Sequence, residues 1–281
     1  MIKMPVAFYL GIDAGGTKVH CAVGNEQRIL AAGTGGAGSL LRAGAVTVRT
    51  SLHDAITSAC AHAQVKPDQV VGACLGATGA ADPDVAQELQ NILQAILPSA
   101  VIDVRGDMEI ALTAAFGDGP GVVVVSGTGS IAFGRTEHGL IARAGGLGPL
   151  TSDEGSGYWI GKRALGFLPV GDGVALPAEL VPAVIAEAEI GNASAQAVLD
   201  EAGCELAKLA AQVCGELFSA SQRIDVAVTG GVFQHAQRLR ESFAEHVARL
   251  VPQAIVELEA VDPVQGALWV ARRMTARSIS S

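Results

Sequence analysis

Several features typical of particular protein classes are missing from this sequence. Its five cysteines form no CxxC pair, and its six histidines show no spacing typical of a metal site. No apolar run reaches the roughly 20 residues that a bilayer-spanning helix needs. Lysine and arginine number 19 against 28 aspartates and glutamates, so the net charge is −9 and no basic patch favours nucleic acid or an anionic membrane. We therefore expect a cytoplasmic protein with reduced thiols and no protein-held transition metal, which binds neither nucleic acid nor membrane.

The second half of the chain repeats the order of elements predicted for the first. Periodicity in the first half predicts strands at 6–12, 18–24, 28–34, 69–79 and 100–104. It predicts helices at 45–63, 82–96 and 106–116, between and after the later strands. From residue 121 the order starts again: three strands within 121–148, helices at 155–165, 177–190 and 194–220, a strand at 225–231, a helix at 234–249, a strand at 254–260 and a last helix. This repetition predicts an α/β protein of two lobes, 1–116 and 117–263, each a mixed sheet flanked by helices. We expect a cleft between the lobes, and we expect the last helix (264–279) to pack on the first lobe.

Each half carries a glycine turn between its first two strands, "DAGGTK" at 13–18 and "SGTGS" at 126–130. At equivalent points of a repeat, the two turns would face each other, and their N–H groups and hydroxyls could surround a polyphosphate. Asp13 would repel phosphate unless a cation lay between them, so we expect it to bind Mg²⁺ through water. A tight hairpin would explain the glycines of either turn without any ligand.

A third glycine site, "VTGGVFQ" at 228–234, could either receive a flat adenine or ribose or simply turn the chain into the next helix. Together with "DAGGTK", "SGTGS" and "DEGSGYWIG" at 153–161, its "TGGV" resembles the sugar kinase, Hsp70 and actin superfamily. More narrowly, the motifs resemble the BadF-type ATPase family, which includes N-acetylglucosamine kinase and bacterial glucosamine kinase. The resemblance covers nearly the whole chain, and it implies duplicated RNase H-like (actin-like ATPase) domains.

The resemblance also implies ATP and Mg²⁺ as cofactors and a sugar as substrate. The predicted ATP and phosphate site comprises Asp13, Gly15, Gly16, Thr17, Lys18, Gly127, Thr128, Gly129, Gly230 and Gly231. The predicted sugar site comprises Ser39, Asp107, Ser130, Gly146, Leu147, Gly148 and Asp153. Two positions depart from the family pattern, since Ser39 stands where the family has asparagine and Leu147 where it often has tryptophan. Both departures bear on the identity of the sugar.

A sugar kinase needs one carboxylate near the attacking hydroxyl, because the remaining work is positioning and charge stabilisation. The family match falls on Asp107, which we predict to be the catalytic base. Its place at a strand-to-helix turn also suits a helix cap. Asp103 lies within the preceding strand and could be structural, and Asp153 could cap the helix that follows it.

We therefore expect a homodimeric, ATP-dependent kinase that phosphorylates a hydroxyl of an amino sugar or related hexose. One alternative is an ATP-driven activator of a reductase or dehydratase, which would need cysteine ligands for an iron–sulfur cluster near the second glycine turn. No cysteine lies between Cys74 and Cys204, which argues against it. Another alternative is a nucleotide-dependent switch without sugar turnover.

Overall fold

The computed structural model describes residues 6–148, 152–168 and 177–278. The chain divides into two compact units. Unit 1 comprises the described residues up to Gly117 and those from Asp262 onward, and unit 2 runs from Asp118 to Val261. The predicted end of the last helix, Ile279, lies outside the described residues.

The elements alternate as a duplicated α/β sequence. In chain order the first half contains β1 (Phe8–Ala14), β2 (Val19–Gly24), β3 (Ile29–Gly35), α1 (Leu40–Ala63), β4 (Val70–Ala77), α2 (Pro83–Ile96), β5 (Val101–Gly106) and α3 (Asp107–Phe116). The second half contains β6 (Gly121–Ser126), β7 (Ser130–Arg135), β8 (Ile141–Gly145), α4 (Gly157–Ala164), α5 (Val181–Glu189), α6 (Ala193–Leu217), β9 (Ile224–Thr229), α7 (Gly231–His235), α8 (Gln237–Leu250), β10 (Ala254–Glu257) and α9 (Pro263–Ser278).

The two sheets have the same topology. Their strand orders are β3-β2-β1-β4-β5 and β8-β7-β6-β9-β10 when the second is read from its β8 edge. In each sheet the first three strands along the chain are antiparallel, and the last two run parallel to the first. The predicted fold class, a repeated mixed sheet with helices on its faces, is confirmed.

Alternation along β1 explains how unit 1 fills both faces of its sheet. Leu10 and Ile12 point into the core shared with α1 and α2, whereas Tyr9 belongs to the core formed with α3 and α9. Gly11 faces α9 so closely that a Cβ on it would collide with the backbone of Leu268. Helix α9 therefore packs directly on β1 in unit 1. None of the helices in the described ranges combines the length and the apolar character needed to cross a bilayer.

Two of the element boundaries that differ from the sequence prediction affect the candidate site in unit 1. Helix α1 begins at Leu40, before the predicted 45, because a first turn precedes a non-helical break at Gly44 (φ 78°, ψ 160°). Ser39 thereby becomes the residue that precedes a helix. Strand β1 extends to Ala14, so Asp13 lies inside the strand, opposite His20 of β2 and Gly76 of β4.

Candidate functional site

The parallel strands of unit 1 end together and bring three polar side chains to one edge of the sheet. Ala14 of β1 lies in register with Ala77 of β4, and Ala77 with Gly106 of β5. Asp13, Thr78 and Asp107 directly adjoin these positions. The Thr78 N–H donates to the carbonyl of Ala14 at 3.3 Å, and its Oγ1 donates to Asp107 Oδ2 at 2.8 Å.

Asp107 does not serve as the cap of helix α3. Gly106 occupies the N-cap position, and Asp107 is the first helical residue. Its Oδ1 accepts the N–H of the next residue, Met108, at 3.0 Å, while the Gly106 N–H donates to Oε1 of Glu109 at 3.3 Å. The capping alternative therefore does not account for a carboxylate at this position.

Asp13 lies in an electrostatic setting that suits a bound cation. Burial raises its pKa to about 7, with further contributions from Asp107 and Asp262, and nearby Lys18 offsets part of this effect. Asp262 was not predicted from the sequence; it precedes α9, and its Oδ1 accepts the Val264 N–H at 3.1 Å. A divalent cation would relieve the repulsion among these carboxylates.

The protein side chains alone do not form a metal cage. In the described ranges, no group of three or more His, Cys, Asp or Glu residues is arranged to hold a metal ion. A cation beside Asp13 would therefore need further ligands from water and from a bound anion. This is the coordination that Mg²⁺ usually adopts in phosphate sites.

The first glycine turn contains a glycine that the fold does not require. Gly15 N–H donates to Lys18 O at 3.0 Å, and Gly38 N–H donates to Gly15 O at 2.9 Å, which closes the turn. Gly16 has no left-handed φ, and the nearest atom to a Cβ on it would be Nη1 of Arg42 at 3.5 Å, the far end of a flexible side chain. A side chain would fit here, so packing in unit 1 does not require the glycine.

Arg42 was not predicted as a site residue. Its guanidinium lies over Gly16, because the first turn of α1 follows Gly38, which is bonded to the glycine turn. Among the described residues, its side chain has no hydrogen-bond or ion-pair partner. The sequence alone did not reveal this cation, since the prediction started the helix after Gly44.

The second glycine turn is braced by the segment that begins helix α4. Gly127 N–H donates to Gly129 O at 3.0 Å, which closes the turn itself. The N–H groups of Gly157 and Tyr158 donate to the carbonyls of Gly127 (2.8 Å) and Thr128 (3.2 Å). The carbonyls of Gly127 and Thr128 are thereby held toward α4. A Cβ on Gly127 would meet no atom within 4 Å, so the fold does not require glycine there either.

Backbone donors remain available in both turns. Among the described residues, the N–H groups of Gly16, Thr17, Thr128 and Gly129 have no hydrogen-bond acceptor. Unpaired N–H groups on glycine turns are well suited to phosphate oxygens.

Asp153 supports the second turn. It is buried, and its Oδ1 accepts the Ser130 N–H at 3.2 Å. Helix α4 begins at Gly157, not at the predicted 155, and its cap is Ser156, whose Oγ accepts the Trp159 N–H at 3.1 Å. Asp153 is therefore not the cap of this helix. Its predicted contact with a sugar stays a prediction.

The serines of "SGTGS" are also used inside unit 2. Ser126 Oγ donates to Gly155 O and Ser130 Oγ donates to Glu154 O, both at 2.8 Å. The "DEGS" segment and the second turn are thus one hydrogen-bonded structure. Since the Ser130 proton is engaged, a sugar could only donate to that oxygen, and this contact too stays a prediction.

The two glycines of "TGGV" have different structural roles. Gly230 has φ +101° and lies so close to the Ser126 carbonyl that any side chain would collide with it. The fold therefore requires glycine at 230, as the turn alternative supposed. A Cβ on Gly231 would meet no atom within 4 Å, so Gly231 leaves space beside the second turn.

The remaining predicted sugar positions lie at two turns. In unit 2, Gly146 and Gly148 have positive φ, and the Leu147 N–H donates to Ser152 Oγ at 3.0 Å. The Leu147 side chain is 61% exposed, which is unusual for leucine. In unit 1, Ser39 is buried at the start of α1, but its hydroxyl makes no capping bond.

Four of the five thiols are poorly suited to hold an iron–sulfur cluster. Cys21, Cys60, Cys74 and Cys214 carry raised pKa values, chiefly because of burial. Metal ligation requires thiolate, which burial disfavours.

Known proteins similar to this chain include one family of ATPases and two curated kinases. A model of the BadF/BadG/BcrA/BcrD ATPase family matches residues 10–170. Over 159 residues the chain is 30% identical to an N-acetylmuramic acid/N-acetylglucosamine kinase of Clostridium acetobutylicum. This match covers 56% of the chain and 52% of that protein. The matched region thus spans about half the length of that relative. The chain is also 24% identical over 314 residues to an N-acetyl-D-glucosamine kinase of Dictyostelium discoideum, and this match covers 95% of the chain and 98% of that relative.

A solved structure shares the fold. A protein of Chromobacterium violaceum, described as a candidate N-acetylglucosamine kinase, has a TM-score of 0.74 at 24% identity, covering 95% of this chain and 99% of that chain. With the repeated sheet order, this similarity confirms the predicted duplication of RNase H-like units.

Proposed function

The chain belongs to the BadF/BadG/BcrA/BcrD ATPase family, and on that premise we propose that it is an ATP-dependent kinase that phosphorylates a hydroxyl of an amino sugar or related hexose. The observation that carries the proposal is the sheet edge of unit 1. There, three parallel strands bring together a glycine turn, the half-buried Asp13 and Asp107, which is not the N-cap of its helix. A phosphate cradle beside a carboxylate is what transfer of a phosphoryl group to an alcohol needs.

In this proposal Asp107 is the catalytic base. It orients the sugar hydroxyl and accepts its proton as the bond to phosphorus forms. Its anchors at Thr78 and Met108 hold the carboxylate while each oxygen keeps a lone pair for the substrate.

In each unit, the glycine turn would offer donors to phosphate oxygens of ATP. Gly16 and Gly127 would let the backbone approach the phosphates closely, and the unpaired N–H groups of the turns would donate to phosphate oxygens. Arg42 and Lys18 would add positive charge at the first turn. Gly231 would leave room for the adenosine. Mg²⁺, held at Asp13 through water, would neutralise phosphate charge when bound.

Selection of the sugar would rest on Ser39, Leu147 and the buried Asp153. The names of the relatives make acetamido sugars the first substrates to test. Serine offers a hydroxyl in place of the carboxamide of asparagine. A contact to the sugar could therefore be lost or taken over by water, with weaker selection for a 2-acetamido group.

A coupled ADP-release assay tests the function. The panel should contain glucosamine, N-acetylglucosamine, N-acetylmuramic acid, glucose and other hexoses, each with ATP and Mg²⁺. We expect at least one sugar to raise ADP release well above the rate with ATP alone, together with formation of a sugar phosphate. ATP hydrolysis that no sugar stimulates would contradict the proposal, and an iron assay with an absorbance spectrum would then test the activator alternative. We retain a cytoplasmic homodimer as part of the proposal, and light scattering tests the dimer.

A further inference from the structure

Thr78 lies directly after β4, where the prediction placed only the end of a glycine-rich strand. Its backbone is tied to the end of β1 through the Ala14 carbonyl at 3.3 Å. Its hydroxyl does not serve its own loop, because it donates to Asp107 Oδ2 at 2.8 Å, 29 residues along the chain. One residue thus connects the strand that carries Asp13 with the carboxylate proposed as the base.

We infer that Thr78 is the positioning residue that holds Asp107 in its reactive orientation. The inference rests on the proposed function and deepens it. Met108 N–H fixes Oδ1 and the Thr78 hydroxyl fixes Oδ2, so rotation of the carboxyl group about its bond to Cβ is restrained at both oxygens. A base held in this way presents its remaining lone pairs in one direction.

A hydroxyl suits this position better than a charged donor. Asp107 lies near the half-buried Asp13, so the Asp107 carboxylate gains from a partner that supports its negative charge. A lysine or arginine would form an ion pair and make the carboxylate a weaker base. Threonine donates one hydrogen bond without adding formal charge, and its methyl branch restricts its own χ1.

A structural role for Thr78 is the competing explanation. The same hydrogen bond ties the end of β4 to the start of α3, and its loss could simply loosen unit 1. A double-mutant cycle separates the two roles, because a residue that acts through Asp107 should have no effect on turnover once Asp107 cannot serve as a base.

The experiment compares wild type, T78V, T78S, D107N and the T78V/D107N double variant with the best sugar from the panel. We expect T78V to lower kcat about tenfold, with KM for ATP little changed, as loss of one hydrogen bond to a charged group implies. T78S should restore most of the rate. In the D107N background, T78V should cause no further loss of kcat.

T50V serves as the matched control. Thr50 is an exposed residue of α1 in the same unit, and its hydroxyl donates only to the Val46 carbonyl at 3.1 Å. Its loss removes a threonine hydrogen bond that touches no carboxylate, so kinetics should stay at the wild-type level. Melting temperatures of all variants report any loosening of the fold.

The outcomes distinguish the inference from the function beneath it. If wild type shows sugar-dependent turnover but T78V lowers kcat equally in both backgrounds, the positioning role is wrong and the kinase proposal stands. The positioning role is equally wrong if T78V turns over at the wild-type rate. If no sugar stimulates wild type, the proposed function fails and the positioning role fails with it.

Discussion

Replacement of Asp107 by asparagine is the most direct test of the candidate site. Asparagine keeps the size of the side chain but cannot accept the proton of an attacking hydroxyl. Its amide oxygen can still accept from Met108 N–H, and its NH₂ group can donate to the Thr78 oxygen, whose hydroxyl then rotates away. Both anchors seen in the structure thus have a neutral equivalent, and we expect the fold to persist.

The structure allows both effects of this change to be estimated. Loss of a general base lowers the rate on the order of 10² to 10⁴, or about 3 to 5 kcal/mol of transition-state stabilisation. The hydrogen bond to Thr78 becomes neutral, which costs about 1 kcal/mol of folding stability. Removal of one negative charge beside Asp13 acts in the opposite direction, since Asp107 contributes to the raised pKa there. The net change in melting temperature should therefore be small.

The assay combines kcat at saturating sugar, ATP affinity by calorimetry and a thermal melt. We expect kcat to collapse while ATP affinity and melting temperature stay near wild type, with a modest rise in KM for the sugar. Near-normal kcat would refute the reasoning and direct the search for the base to Asp103 or Asp153. A much lower melting temperature with full activity in the folded fraction would show that Asp107 is structural.

Four further changes probe the surroundings of Asp107. Gly16→Val should weaken ATP binding while the fold persists, because a Cβ there meets only the end of the Arg42 side chain; Gly215→Val on α6, where a Cβ meets no atom within 4 Å, is the control, and equal ATP affinities would restore the hairpin explanation. Arg42→Gln should weaken the binding of ATP more than that of ADP in calorimetric titrations, because we expect the guanidinium to contact the terminal phosphate. Arg49→Gln on the same helix should change neither affinity, and equal losses of ATP and ADP affinity in Arg42→Gln would exclude that contact. In EDTA, Asp13 with its pKa raised from 3.8 to about 7 keeps a proton in the folded chain, between those two pH values, that the unfolded chain has lost. Wild-type stability should therefore fall as the pH rises through that window and level off above it, and Asp13→Asn should abolish this fall; the same dependence of melting temperature on pH in both proteins would contradict this. Ser39→Asn should shift kcat/KM between the amine and acetamide sugars, and an equal effect on every sugar would remove Ser39 from the site.

The sequence supported the order of elements because most of them bury one regular face. In β1, Leu10 and Ile12 point to one core and Tyr9 to the other, so the side chains follow a two-residue period. The second half of the chain repeats the order of strands, helices and glycine turns. Asp107 could be singled out from the family motif. These features are local in the chain, so they could be predicted without knowledge of long-range contacts.

Residues that act across long separations could not be predicted in the same way. Asp262 affects the pKa of Asp13 only because α9 returns to β1. Thr78 indicates a role in the site only once its hydrogen bond to Asp107 is known. Arg42 was missed for a local reason, since the break at Gly44 hides a helical turn that starts earlier. Pattern rules give helix boundaries poorly when a glycine interrupts the period.

The duplicated scaffold assigns different electrostatic work to its two copies. In unit 1 the sheet edge brings Asp13 and Asp107 together, and the pKa of Asp13 rises because of burial and, to a smaller extent, because of the neighbouring Asp107 and Asp262. In unit 2 the second turn is supported by Asp153, whose carboxylate accepts the Ser130 N–H of that turn. The second turn presents unpaired N–H groups and the hydroxyl of Thr128. Under the proposed function, the demand for Mg²⁺ and the proton transfer both arise in unit 1, while the turn that unit 2 supplies for phosphate, residues 126–130, contains no charged residue.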